Sequence, residues 1–391
     1  MLGGAVGDAL GWPVEFDSID RIRQRFGTDG IVAPIAAERS GLCEVTDDTQ
    51  MTLFTAEGYI RALVRAQGRG MCHTPSVVWF AYRRWYRTQT EPFPGADTLR
   101  RERPLHEAPS FLLLEPALWH RRAPGNTCIS ALARKQPPTI AENTSKGCGT
   151  VMKTAPIGLL TSGTGHDEAI IGSAAEIAFL THGHPMGALA AGLLADIIAL
   201  LVLGSDVHWA IRDGRRNLSA WVDARQPPAI HQLGLSEPLA ELLALLERVL
   251  ELHASKQAVT PELIEQTFGG GWIAEEALAI GLLCALRAET FEEGVRMAVN
   301  HSGDSDSTGA IAGNLLGLVH GVEAIPPAWL ERLELKSIIE DVADDLLDAA
   351  VNGVPCPEGP YSVEPLSERD AADLAARQHV YDRWFAKYPG C

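Results

Sequence analysis

The chain has 391 residues, 46% of them hydrophobic, enough to bury a large core. Its 33 basic against 50 acidic residues leave a net charge of -17, the wrong sign for a surface that follows a phosphate backbone, so nucleic acid is not an expected partner. Seven cysteines, scattered and without a C-x-x-C pair, suggest neither a disulfide framework nor a zinc site and point to a reducing cytoplasm.

The chain opens directly on LGGAVGDALGWPVEF (2–16), with no signal peptide before it and room for a preceding stretch. Helical signals dominate from there on, and alternating β-branched runs are scarce. Helices are predicted over 49–66, 74–88, 169–181, 186–203, 237–254, 273–287 and 308–320; in the second, Thr74 is placed to cap and Pro75 to take the first helical position. Between 88 and 145, PFPG, RAPGN and KQPP predict a loop-rich insertion of the kind that carries substrate contacts. Residues 186–204 are nearly long enough to span a membrane. Asp196 at the middle would cost about 2.5–3.5 kcal/mol there, so a buried core helix is expected instead.

Past 350, VNGVPCPEGPYSVEP reads as a connector. Residues 367–388 read as an amphipathic helix with Ser367 and Asp370 in capping-box positions, docking through Leu374, Tyr381, Trp384 and Phe385. The expected architecture is all-α: one multi-helix bundle over 1–350, with 351–391 packed on it as connector and helix.

Two acidic stretches carry chemistry. TDDT at 46–49 and GDSDST at 303–308 both have the residues of helix starts, where acids complement the positive end of the dipole. They are also sets of oxygen ligands suited to magnesium or manganese. If the two starts converge, Asp47, Asp48, Asp304 and Asp306 would bridge two ions about 3.5–4 Å apart, as in hydrolytic two-metal chemistry. An EF-hand beginning at Asp304 has Gly309 at its sixth place but Leu315 where the bidentate Glu belongs, and so fails. Asp304-Ser305-Asp306-Ser307-Thr308 spells the D-x-D-x-T of haloacid-dehalogenase phosphatases, but a helix-like segment precedes it where those have a strand.

Taken together, GGAVGDALGWPVEF (3–16), TDDTQMT (46–52), SKGCGTVMKTAPIGLL (145–160), THGHP (181–185) and GGGWIAEEALAIGLLCAL (269–286) leading into AVNHSGDSDSTGAIAGNLLG (298–317) resemble, in order, the motifs of the ADP-ribosylglycohydrolase family. The resemblance implies an all-α fold with a central cleft holding two Mg2+ or Mn2+ ions. It places metal ligands on Thr46, Asp47, Asp48, Asp304, Asp306 and Ser307, the last standing where Thr is usual. Asp47, Asp48, Asp304 and Glu15 are the implied catalytic carboxylates, although Glu15 reads equally as an exposed acid after a helix.

Gly147 and Gly149 let a backbone approach an anionic group closely, or simply form a tight turn. The resemblance makes the loop a cradle for the diphosphate of ADP-ribose, with Gly147, Cys148, Gly149, Thr150, Met152, His182, Gly271 and Trp272 as substrate-binding residues. Lys153 stands where Arg is usual, and His301-Ser302-Gly303 where paired Gly commonly precedes the acid. His182 and His184 lack a third nitrogen or sulfur ligand nearby, and capping or packing is the commoner role for such residues.

The implied activity is removal of ADP-ribose from a modified protein side chain, foremost the arginine N-glycosidic linkage, with protection from a cognate ADP-ribosyltransferase toxin as one setting. A non-catalytic ADP-ribose-binding or toxin-blocking module is the alternative, and intact metal ligands favour the enzyme.

Overall fold

The computed structural model describes residues 1–101, 110–161, 167–224, 228–356 and 368–389. Among these are nineteen α-helices, five short 3-10 helices and no strand beyond isolated bridges, as the periodicity predicts.

The N-terminal helix, Leu2–Gly11, is a poor helix by propensity, since Gly in a helix interior costs about 1 kcal/mol relative to Ala. Tertiary packing overrides this. Gly3, Gly7 and Gly11 fall on one face, and that face lies against the Ser305–His320 helix so closely that a Cβ on Gly3 would collide with Gly313 O, on Gly7 with Gly309 O, and on Gly11 with Ser305 O. Because residue numbers rise on one helix as they fall on the other, the two run antiparallel. The C-terminal end of the first helix therefore sits against the start of the second.

The Pro185–Val202 helix, apolar enough to cross a membrane by composition, is buried over most of its length. Gly158 rests on Ala195 O, Gly192 on Ile171 and Gly187 on Thr150. Asp196 is fully buried and accepts from Asn217 Nδ2 at 3.0 Å. Burial among protein neighbours, not lipid, explains its composition.

Two helix starts differ from expectation in a way that matters below. The helix expected from 49 begins at Asp47, and the one expected from 308 begins at Ser305, so Asp306 and Ser307 lie inside a first turn. Helices over Ile19–Phe26, Val207–Asp223 and Lys336–Asn352 escaped the sequence reading, the first being short and all three interrupted by charge, whereas the helix-like segment before Asp304 is a helix over Phe291–Val299. The 88–145 region holds short helices whose Leu112, Leu118 and Leu132 are fully buried.

At the other end, Ser367 and the Asp370 side chain lie outside the described residues. In the helix Glu368–Lys387, Tyr381 and Trp384 are buried and Leu374 partly so, whereas Phe385 stays 41% exposed, stacked on Tyr381. Tyr388 is buried in its place, its hydroxyl donating to Asp345 Oδ2 at 2.5 Å.

Replacing Gly7 with Ala should cost about 3 kcal/mol or more, because backbone on both sides must part to admit one methyl. Gly125→Ala, where a Cβ meets nothing, should be neutral or slightly stabilising. Urea midpoints of the two variants check this; equal midpoints would contradict the close approach.

Candidate active site

The antiparallel contact delivers Asp8 and Glu15 to the start of the Ser305 helix, and Asp8 organises the other acidic start. Fully buried, its carboxylate accepts from Thr46 N at 3.0 Å on both oxygens, from Thr49 N at 3.1 Å and from Thr49 Oγ1 at 2.5 Å. It thus caps the Asp47–Arg69 helix from another element, supplying the negative charge that a helix start favours. Thr46 completes the cap, accepting from Asp48 N at 3.3 Å. Asp47 Oδ2 accepts from Gly125 N at 3.3 Å. Asp8 lies inside the first motif, where its only sequence signal is a lone acid in a run of small apolar residues.

At the second start, Asp304 N donates to Gly270 O at 2.7 Å and Ser307 N to Asp306 Oδ1 at 3.0 Å. Glu15, Asp304 and Asp306 each offer an oxygen within 4.8 Å of the others. Glu15, read at sequence level as equally an exposed acid, is 7% exposed. Asp47, Asp48, Asp304 and Asp306 are likewise buried, and the Asp306 charge acts on both Asp47 and Asp48, so the two acidic starts converge.

Burial first, and the Asp306 charge second, push every carboxyl around it up: Asp8 to about 7, Glu15 to about 9, and Asp47, Asp48 and Asp304 well above the carboxylate range. Glu15 Oε2, Asp48 Oδ2 and Asp304 Oδ2 are buried without a hydrogen-bond donor. Buried, mutually repelling carboxylates with orphaned oxygens, beside the hydroxyls of Thr46 and Ser307, fit a hard divalent cation and little else. The cluster can hold a metal ion.

A second wall joins this cluster. Cys148 N donates to Trp272 O at 3.1 Å and Ala274 N to Lys146 O at 2.8 Å, pairing the 146–149 loop with 271–274. His182 packs beneath the loop: a Cβ on Gly147 would come within 3.3 Å of its Nε2, and one on Gly149 within 3.2 Å of its Cε1. Its Nδ1 is 2.9 Å from Thr181 Oγ1, which also accepts from Lys153 Nζ at 2.7 Å. Lys153 is fully buried, its ammonium 4.8 Å from the Tyr82 ring centroid. Burial, reinforced by the Lys153 charge, holds the His182 pKa well below its usual value, so the ring is neutral.

The loop residues divide by role. Thr150 is fully buried and donates its hydroxyl to Gly147 O at 3.1 Å. Met152 is also buried; its carbonyl accepts from Thr52 Oγ1 at 3.2 Å, and its sulfur lies 4.0 Å from Ser307 Oγ. Met152 ties the loop to both acidic helices, through its carbonyl and its sulfur, while Thr150 closes the loop on itself, and neither side chain faces outward. The amides of Gly147, Cys148 and Thr150 are engaged by Ser145 Oγ, Trp272 O and Gly147 O, so a ligand meets the glycine backbone and the half-buried Cys148. Burial and then the charges of Asp304 and Asp48 push that thiol up, keeping it protonated.

Gly271 has φ +80°, which favours glycine, and a Cβ there would meet Thr308 Cγ2 at 2.7 Å. Trp272 is 43% exposed and stacks on Phe16. His184 does not join His182: its Nδ1 caps the Pro185 helix, accepting from Met186 N at 3.1 Å. The D-x-D-x-T segment follows the Phe291–Val299 helix, so no phosphatase strand is present there.

Asp8→Ala should leave the Thr46 and Thr49 donors without their acceptor and cost about 3 kcal/mol, read as a drop in urea midpoint. The metal-free protein should also respond to pH. Asp8 and Glu15 sit at about 7 and about 9 when folded, against about 3.9 and 4.3 unfolded. A carboxyl raised by folding disfavours the fold as pH climbs from the unfolded value toward the folded one. Melting temperature in chelator should therefore fall between about pH 4.5 and 9, and saturating Mg2+ should flatten the slope; a rise in chelator over that window would contradict the assignment.

The chain is 26% identical over 343 residues to ADP-ribosyl-[dinitrogen reductase] glycohydrolase of Rhodospirillum rubrum, covering 86% of this chain and 89% of that protein. It is 30% identical over 86 residues to ADP-ribosylarginine hydrolase Tri1 of Pseudomonas putida, a match covering 22% and 23% of the two chains. A solved structure described as an ADP-ribosylglycohydrolase-related protein complex shares the fold, with TM-score 0.53 and 24% identity over 90% of this chain and 96% of that one. The ADP-ribosylglycohydrolase profile matches residues 1–354. The chain belongs to the ADP-ribosylglycohydrolase family of hydrolases.

Proposed function

We propose that the protein removes ADP-ribose from modified protein side chains, with the arginine N-glycosidic linkage as its preferred substrate. We further propose two Mg2+ or Mn2+ ions, held by Thr46, Asp47 and Asp48 on one side and by Asp304, Asp306 and Ser307 on the other. The observation that carries the reading is the convergence of two helix starts whose buried carboxylate oxygens find no donor in the protein. Names of relatives, one of them an ADP-ribosylarginine hydrolase, support the linkage. Six described cysteines form no disulfide, in keeping with a cytoplasmic setting. The modifying agent in such a setting is an ADP-ribosyltransferase, a toxin among them.

When bound, divalent cations supply the positive charge that lets these carboxylates ionise together, and a polarising field over ribose hydroxyls and an attacking water. The chain's residues do the rest. Asp8 holds the Thr46–Thr49 turn in place, and the glycine backbone of 147–149 admits the ADP-ribose chain beside Asp304. Glu15, within reach of Asp304 and Asp306, is placed to take the proton of the attacking water. The acidic surroundings favour positive charge developing at the anomeric carbon as the bond to nitrogen breaks.

Release of free ADP-ribose from an arginine-ADP-ribosylated protein should require Mg2+ or Mn2+, and should fall by more than roughly 100-fold in Asp304→Asn and Asp306→Asn, since even residues behind the metal ligands cost up to that much. Tight ADP-ribose binding without release by the unaltered protein would favour a binding module. Release that survives chelation would remove the metal from the mechanism.

A further inference from the structure

Two large aromatic side chains stay at the surface beside the carboxylates. Phe16 is 73% exposed and Trp272 43%, and they stack on one another at 5.6 Å between centroids with 20° between planes. Each is anchored to the site through its backbone. Phe16 follows Glu15 directly. Trp272 O accepts from Cys148 N, and its indole lies over Gly270, where an added Cβ would meet Cδ1 at 2.9 Å; Gly270 O in turn accepts from Asp304 N. The pair is thus carried by the two elements that hold Glu15 and Asp304.

We propose that the Phe16–Trp272 pair is the seat of the leaving group, a planar cation of the guanidinium class, and so determines specificity for arginine-linked ADP-ribose. The inference rests on the hydrolase reading of the same site. Aromatic faces carry negative charge density and attract cations within about 6 Å. Guanidinium is planar and weakly hydrated, and it stacks on such faces better than an ammonium does. Acidic residues adjoin the pair, Glu15 directly before Phe16 and Asp304 bonded through its backbone to Gly270 beneath the indole. Position favours the leaving group over the adenine. The glycosidic bond is cut at the carboxylates, and adenine lies beyond the ribose and diphosphate from that bond. Phe16 follows Glu15 in the chain, so the pair is held at the bond that is cut, where the leaving group departs, and not at the far end of the nucleotide.

The test separates binding from turnover. In a Glu15→Gln background that stops hydrolysis, Trp272→Ala and Phe16→Ala are expected to weaken binding of ADP-ribosyl-agmatine about tenfold while changing affinity for free ADP-ribose less than twofold; Trp272→Phe should restore most of the difference. Equal weakening of both ligands would assign the pair to the adenosine, and no change in either would leave it without a binding role; both results overturn the proposal. Hydrolysis of the arginine conjugate by the otherwise unaltered protein is scored separately. A protein that binds the conjugate through Trp272 yet never cleaves it would sink the hydrolase reading and not this one.

Discussion

The glycine-to-backbone contact between Leu2–Gly11 and Ser305–His320 is the constraint on which the site depends. Side chains on that seam would hold the helices apart and carry Asp8 and Glu15 away from Asp306. The approach uses glycine where propensity argues against it, and the helix survives because packing on its neighbour outweighs the local cost. Connections on either side keep the register: Ile19 N donates to Ser302 Oγ at 3.0 Å, and Asn300 bonds the Ile31 backbone through both its amide groups.

What the seam brings together is electrostatically unfavourable by itself. Each carboxyl in the cluster is shifted upward by burial, and all but Asp306 by a neighbour's charge as well, so the fold stores repulsion that a cation would relieve. Function and stability are in conflict here, as is common where binding groups are preorganised. The protein contains the conflict by building Asp8 into a fully hydrogen-bonded cap, and Glu15, Asp48 and Asp304 keep unmatched oxygens in the cluster.

The second wall is organised by neutral and cationic groups. A buried Lys153, cushioned by Tyr82 and tied to Thr181, sits behind a neutral His182, and the loop it supports is locked to both acidic helices by Met152. Arginine, whose fork is broader than an ammonium, would need more room in this fully buried position.

Local periodicity and residue chemistry determined a good deal: the all-α class, the long helices, the core character of the Pro185–Val202 helix, and the oxygen ligands of the two acidic stretches. Each of those signals lives within a few turns of chain. Tertiary structure alone decided that helix starts more than 250 residues apart meet, that Asp8 caps the Asp47 helix, that Thr150 and Met152 turn inward, and that Phe16 and Trp272 stack in the open. Among the helices missed, Ile19–Phe26, Val207–Asp223 and Lys336–Asn352 have an apolar face interrupted by charge. The physical reason is that a helical period says which face is apolar or small, as the glycines at 3, 7 and 11 do, but not which distant helix packs on that face.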